Sequence, residues 1–249
     1  MECVTYYCNF IYLPLSPLSL FSIKPSYQEG SKCYDGDMQI NKGLPLEKIK
    51  GVKIIENQEP LVAIEETDKI KLLRDHRYLD ARLRQSAKEL LTKATGNLPP
   101  GYKILVVTAY RPIWMQKELY ARRLKQLAIR HPFKMIFQYP IWKKMVNRYT
   151  SPPGGSSHQY GGAIDVTIID ALGNRLDMGT NLTDYGEKVH TDNPLITEKQ
   201  RENRRILYAV MTESGFVNYP LEWWHYSYGD RMWAAYMNRT DCFYGPINE

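Results

Sequence analysis

Two of the five histidines stand where the neighbouring residues supply the rest of a metal site. His158 lies in S-S-H-Q-Y-G-G-A-I-D, seven residues before Asp165, and His225 closes E-W-W-H, three residues after Glu222. A catalytic zinc centre takes about three N/O ligands and keeps one position open for water. It also takes a nearby carboxylate that accepts the proton of that water without binding the metal. His158, Asp165, His225 and Glu222 make up that inventory. Gly161 and Gly162 let the chain turn sharply after His158, which brings Asp165 back toward the same point. Asp165 interrupts an apolar run, where a carboxylate is costly to bury unless a cation stands beside it. Glu222 and His225 would face opposite sides of a regular strand, so a shared centre demands a turn or bulge there, and Pro220 sits just upstream. Arg111, between a strand and a helix, presents a guanidinium from a rigid platform, suited to a developing oxyanion. Taken singly, each part has a commonplace reading; their joint, ordered occurrence carries the weight. His76, His131 and His190 read as ordinary loop or core histidines.

The elements that must position these residues follow from periodicity. Leu79, Leu83, Ala87, Leu90, Leu91 and Ala94 recur at helical spacing, and Gly96 with Pro99 and Pro100 ends that helix. Residues 103–109 are β-branched and apolar, the mark of a buried strand. Pro112 then opens a helix over 113–130 that carries Leu119, Tyr120, Leu124 and Leu127 on one side. Residues 150–157 (TSPPGGSS) are a loop by composition. Residues 163–169 alternate as a strand, with Ala163, Asp165 and Thr167 on one face. Thr197 and Gln200 form a capping box for a helix built on Ile206, Leu207, Val210 and Met211, and Gly215 stops it. The aromatic stretch 216–228 reads as extended. Helices and strands mixed without a β-α-β rhythm predict an α+β fold.

With 249 residues, 43% hydrophobic and 24% charged, the composition excludes collagen-like, low-complexity and disulfide-scaffold proteins. Cys3, Cys8, Cys33 and Cys242 form no C-x-x-C pair, so neither a thiolate zinc knuckle nor a thioredoxin-type motif is present. Residues 1–45 read as a poorly structured leader and 46–249 as one catalytic domain. No apolar run reaches the ~18–20 residues that span a bilayer. Residues 9–23 are apolar, but Pro14 and Pro17 interrupt them and no basic segment precedes them, so a cytoplasmic location is expected. The net charge of +6 owes much to Lys117, Arg122, Arg123, Lys125, Arg130, Lys134, Lys143, Lys144 and Arg148, set against the single acid Glu118. Trp114, Phe137, Tyr139 and Trp142 are interleaved with them and could stack on bases. A solvated helix face with its aromatics turned inward is the preferred reading, so nucleic acid is not expected as a partner; nor is a membrane, since no apolar run is long enough to span one.

The pattern Ser156, His158, Gly161, Ala163, Asp165, followed by Glu222, Trp224 and His225, resembles the zinc D,D-peptidases of peptidoglycan. Within that group A-Y-R-P (109–112), S-P-P-G-G-S (151–156), M-G-T (178–180) and N-Y-P-x-E-W-W-H-x-S-Y-G-D (218–230) look like the D-alanyl-D-alanine dipeptidases. The likeness runs from about residue 61 to 236. It implies the small α+β fold shared by D,D-peptidases and the hedgehog signalling domain, a mostly antiparallel sheet flanked by helices. It also implies one Zn2+ per chain on His158, Asp165 and His225, Glu222 as general base and acid, and Arg111 steadying the tetrahedral intermediate. Ser156 would help hold the substrate's free amino group. Where the family has an F-D pair after M-G-T, this chain has Thr183 and Asp184, so either Asp184 takes the place of the carboxylate facing the substrate ammonium by a small shift, or recognition of the amino terminus is relaxed. The implied substrate is D-Ala-D-Ala or a related peptidoglycan peptide. A D,D-carboxypeptidase or wall endopeptidase with a more open cleft would use the same centre. A non-enzymatic binding module of the same fold is the remaining alternative.

Overall fold

The seven residues Ala163–Ile169 are buried on both faces, so this strand must lie inside a sheet with cover above and below. The computed structural model describes residue 40, residues 42–74 and residues 80–248, with the backbone alone at Arg148 and Tyr149. The expected leader falls outside the described residues except for residue 40 and residues 42–45, and so do Cys3, Cys8, Cys33 and His76. In chain order the helices are α1 (Leu46–Lys50), α2 (Gln85–Ala94), α3 (Ile113–Arg130), α4 (Pro132–Phe137), α5 (Tyr139–Tyr149), α6 (Glu198–Thr212) and α7 (Arg231–Tyr236). The strands are β1 (Lys53–Ile54), β2 (Leu61–Ala63), β3 (Ile70–Leu72), β4 (Arg82–Arg84), β5 (Lys103–Thr108), β6 (Ala163–Ile169), β7 (Val217–Asn218), β8 (His225–Ser227) and β9 (Asp241–Cys242).

The main sheet has the order β3-β5-β6-β8-β7. Its β3–β5 pair is parallel, and the other three pairs are antiparallel. Two-stranded pieces, β2–β4 and β1–β9, stand apart from it. The fold is α+β, with a mostly antiparallel sheet flanked by helices. Ala87, Leu91 and Ala94 of α2 and Leu207, Val210 and Met211 of α6 share the main core with Ile104, Ile164, Ile168, Trp223 and Tyr226. The capping box opens α6 as its sequence predicts: Thr197 Oγ1 accepts from the Gln200 amide and Gln200 Oε1 from the Thr197 amide. No helix among the described residues is long and apolar enough to cross a membrane.

Three expectations need correction. The helix read from Leu79 begins only at Gln85, because Arg82–Arg84 pair with β2 and drive Leu83 fully into the core. Leu79 itself lies outside the described residues; at Leu83, inter-strand pairing overrides the local spacing. The stretch 216–228 is not one extended run but the two short strands β7 and β8, joined by a turn. The aromatics of the basic segment do not all turn inward either: Trp142 is buried, while Trp114, Phe137 and Tyr139 are exposed. Helices α3–α5 enclose a separate small core of Tyr120, Leu127, Trp142 and Val146. Of the four rings in question, only Trp142 is among its buried members.

Candidate active site

A slip in register at the end of β5 builds the floor of the site. Val106 opposes Val166, but Thr108 opposes Asp165, so an extra residue bends β5 beside that carboxylate. The bend aims the Ala109 carbonyl at the His158 Nδ1, 2.8 Å away. His158 belongs to a 3-10 turn, Ser157–Tyr160, whose exit residue Gly161 has φ +75°. Gly162 follows, and a Cβ there would stand 2.0 Å from the Tyr228 carbonyl oxygen. Only glycine lets the chain pass so close to β8, which explains the pair read from the sequence.

On the other side, the turn after β7 closes when the Glu222 amide donates to the Tyr219 carbonyl (2.9 Å) and the His225 amide to the Glu222 carbonyl (3.2 Å). This is the irregularity that the Glu222–His225 spacing demands. Asp165 pairs directly with His225 across β6–β8.

His158, Asp165 and His225 thereby offer ligand atoms within 4.8 Å of one another. Asp165 Oδ2 lies 3.3 Å from His158 Nε2, and Oδ1 lies 2.9 Å from His225 Nδ1. The outward nitrogens are held elsewhere, His158 Nδ1 at the Ala109 carbonyl and His225 Nε2 at Ser157 Oγ, 3.0 Å away. Each imidazole therefore directs its remaining nitrogen toward the carboxylate, the outer-sphere arrangement that orients metal-binding histidines. Two imidazoles and one carboxylate, buried and converging, suit zinc with a position left for water.

Burial alone would raise the Asp165 carboxyl, but the two imidazoles outweigh it and hold the group far below the usual carboxylate range. Burial lowers His158, with Arg111 and His225 acting in the same sense and Asp165 against it. Burial opposes protonation of His225 too, yet the close Asp165 contact, reinforced by Glu222, leaves that ring raised. Glu222 is pushed up to about 7, mainly by burial and partly by Asp165, against the pull of His225 and Arg111.

Arg111 follows the bend of β5, and its amide donates to the His158 carbonyl at 3.2 Å. Its Nη1 donates to Gln116 Oε1 at 3.0 Å, and Gln116 Nε2 donates to the Ser151 carbonyl at 2.6 Å. Gln116 is buried on the inner side of α3. The sequence reading missed it, and it missed Ser157. Gln116 was detectable as a polar residue on the stripe that continues through Tyr120, Leu124 and Leu127.

All seven residues singled out from the sequence, Arg111, Ser156, His158, Asp165, Asp184, Glu222 and His225, line one cleft of about 1590 Å³. Ser156 is buried in its wall. Asp184 Oδ2 caps its own loop by accepting from the Asn181 amide at 2.7 Å. That loop is anchored from behind by Arg204, which donates to the Met178 and Lys188 carbonyls at 2.8 and 2.9 Å. Trp223 Nε1 adds a bond to Thr180 Oγ1 at 2.8 Å. Arg122, Arg123 and Arg130 of α3 also line the cleft, so part of the basic segment that looks remote in sequence faces the site.

A family profile described as D-ala-D-ala dipeptidase matches residues 67–245. A D-alanyl-D-alanine dipeptidase of Synechocystis sp. is 29% identical over 231 residues, covering 78% of this chain and 92% of that protein. The D-alanyl-D-alanine dipeptidase of Escherichia coli is 39% identical over 95 residues, 37% of this chain and 48% of that protein. Among solved structures, the vancomycin resistance D,D-pentapeptidase VanY in complex with Zn(II) is 18% identical with a TM-score of 0.38, covering 77% of this chain and 96% of its own. The profile spans most of the chain: the protein belongs to the D-Ala-D-Ala dipeptidase family and is a peptidase.

Proposed function

We propose that the chain hydrolyses the amide bond of D-Ala-D-Ala with one zinc ion held by His158, Asp165 and His225. The observation that carries this reading is the convergence of the three ligand atoms with Glu222 and Arg111 in a single cleft. When bound, zinc acidifies a water molecule and polarises a carbonyl oxygen. Glu222 takes the proton from the attacking water and returns it to the leaving amine, a role suited to a carboxylate that titrates at about 7. Arg111, fixed through Gln116, stabilises the negative charge that develops on the carbonyl oxygen. Ser156 and Asp184 receive the free ammonium of the substrate. Arg123 and Arg130, which line the same cleft, add positive charge that favours a substrate bearing a carboxylate, whereas Arg122 is paired with Glu118.

Hydrolysis of D-Ala-D-Ala should disappear on chelation and return with zinc. Glu222→Gln should lose at least about 100-fold in kcat while still binding zinc, the scale of general acid–base catalysis. An undiminished rate in Glu222→Gln removes the base assignment, and activity that survives chelation removes the metal.

The cleft supports a second reading. Its volume of about 1590 Å³ exceeds the ~300–1000 Å³ usual for small-molecule sites, which favours a longer peptidoglycan peptide, cut by D,D-carboxypeptidase or endopeptidase action. Release of D-Ala from a pentapeptide without cleavage of free D-Ala-D-Ala would establish it over the dipeptidase.

A further inference from the structure

The corner joining α4 to α5 carries apolar side chains that the core of the helical unit does not take up. From residue 132 to 141 every residue is exposed except Met135, which packs on the small core of α3–α5. The exposed set includes Phe133 and Phe137 at 77%, Ile136 at 63% and Ile141 at 58%. Phe133 and Phe137 stack on one side of α4, with ring centroids 6.5 Å apart. Ile129, at the end of α3, and Tyr139 extend the same corner and are also exposed. A cluster of large apolar side chains of this kind marks an interaction site.

The charge around it points to the occupant. From residue 119 to residue 164 there is no Asp or Glu, while Lys134 and Lys144 are exposed beside the apolar residues. Aromatic and branched aliphatic side chains ringed by cations match the interface of an anionic bilayer, where the apolar part enters the acyl boundary and the cations meet the headgroups. Single-stranded nucleic acid would use the rings but has no use for Ile129, Ile136 and Ile141. A second copy of the same face would set cation against cation. We infer that the α4–α5 corner docks the protein on the surface of a membrane containing anionic phospholipid. This departs from the sequence expectation of no membrane partner, which went with the lack of an apolar run long enough to span a bilayer. It is independent of the reaction proposed above, since none of Phe133, Lys134, Ile136, Phe137, Ile141 and Lys144 lines the cleft.

The test is co-sedimentation of the full chain with vesicles of phosphatidylcholine alone and with about one-third phosphatidylglycerol. Native protein should partition onto the anionic vesicles and less onto the neutral ones. Phe133→Ser with Phe137→Ser should weaken that partitioning about tenfold or more, through the loss of two rings that the bilayer would bury. Lys134→Gln with Lys144→Gln should weaken it on anionic vesicles only. Because residues 1–39 are present throughout, a contribution from them cancels between native and variant chains. The substituted side chains are exposed, so thermal unfolding should be unchanged; Ile136→Asn with Ile141→Asn is the second pair if the first fails to fold. No partitioning by the native chain, or equal partitioning by the phenylalanine variant, overturns the inference. So does salt-sensitive retention of a single-stranded RNA, or a dimer lost in the phenylalanine variant, when vesicles capture nothing.

Discussion

Arg111 is useful to an oxyanion only if its guanidinium is held still, and nothing in the A-Y-R-P motif does that. The holding comes from Gln116, one turn into α3, which accepts from Arg111 Nη1 and donates to the Ser151 carbonyl. Gln116→Ala leaves both partners unsatisfied and frees the Arg111 side chain that is proposed to face the reacting carbonyl. The expected outcome is a fall in kcat of about 10- to 100-fold with KM little changed, since positioning is lost rather than ground-state contact. Gln116→Glu keeps an acceptor for Arg111 and should recover part of the loss; a KM change without a kcat change would assign Gln116 to substrate binding instead. At this scale the proposed ligands and Glu222 could be singled out because their chemistry restricts which residue types serve. Gln116 and Ser157 were not, because they act through hydrogen bonds to other residues and their identity announces no reaction. The remaining signal, a glutamine on an apolar stripe, is intelligible only once Arg111 has been singled out.

Among the elements, those carrying their own punctuation were read correctly and those defined by distant partners were not. α6 has its capping box and β5 its β-branched run. β4 looked like the first turn of α2 because Leu83 fits a helical period, and only its pairing with β2 makes it a strand. That pairing matters for the site. Arg84, buried at the end of β4, donates its amide to the Gly161 carbonyl at 2.8 Å and its Nε to the Tyr160 carbonyl at 3.1 Å, fixing the turn that carries His158. Gly162→Ala would drive a Cβ into the Tyr228 carbonyl in the same region. We expect it to destabilise by about 3 kcal/mol or more, the upper end of overpacking costs, as measured by urea unfolding. The same anchorage should give an acid limb. Burial alone would raise Glu59, but bonds from the Tyr244 hydroxyl (2.6 Å) and from the amide and hydroxyl of Ser86 (2.8 Å each) hold its pKa below the ordinary value. A depressed carboxylate stabilises the fold above the unfolded-chain value of about 4.3, and the contribution fades as pH falls through the lower folded value. Glu59→Gln should be less stable at neutral pH and lose less stability on acidification; parallel pH–stability curves for the two proteins would remove Glu59 as the source.

Across the whole molecule, the proposed zinc ligands come from three segments of one core: the turn before β6, β6 itself and β8. The helical unit α3–α5 closes over a different small core. Zinc that binds the folded chain and not the unfolded one must therefore stabilise the sheet, and do so by mass action. With free zinc at 100 times its Kd the gain is about 2.7 kcal/mol, which moves the melting temperature of a domain this size by roughly 5–10 °C. Asp165→Asn should abolish most of that shift, because as a proposed ligand the carboxylate would both bind and neutralise the cation. Hydrogen exchange should slow with zinc in β6 and β8 and much less in α4 and α5, whose opening does not expose the ligands. A melting temperature indifferent to zinc and to chelation would mean that His158, Asp165 and His225 form only a buried ion-paired cluster. A uniform slowing of exchange through α3–α5 would mean that the two cores unfold as one.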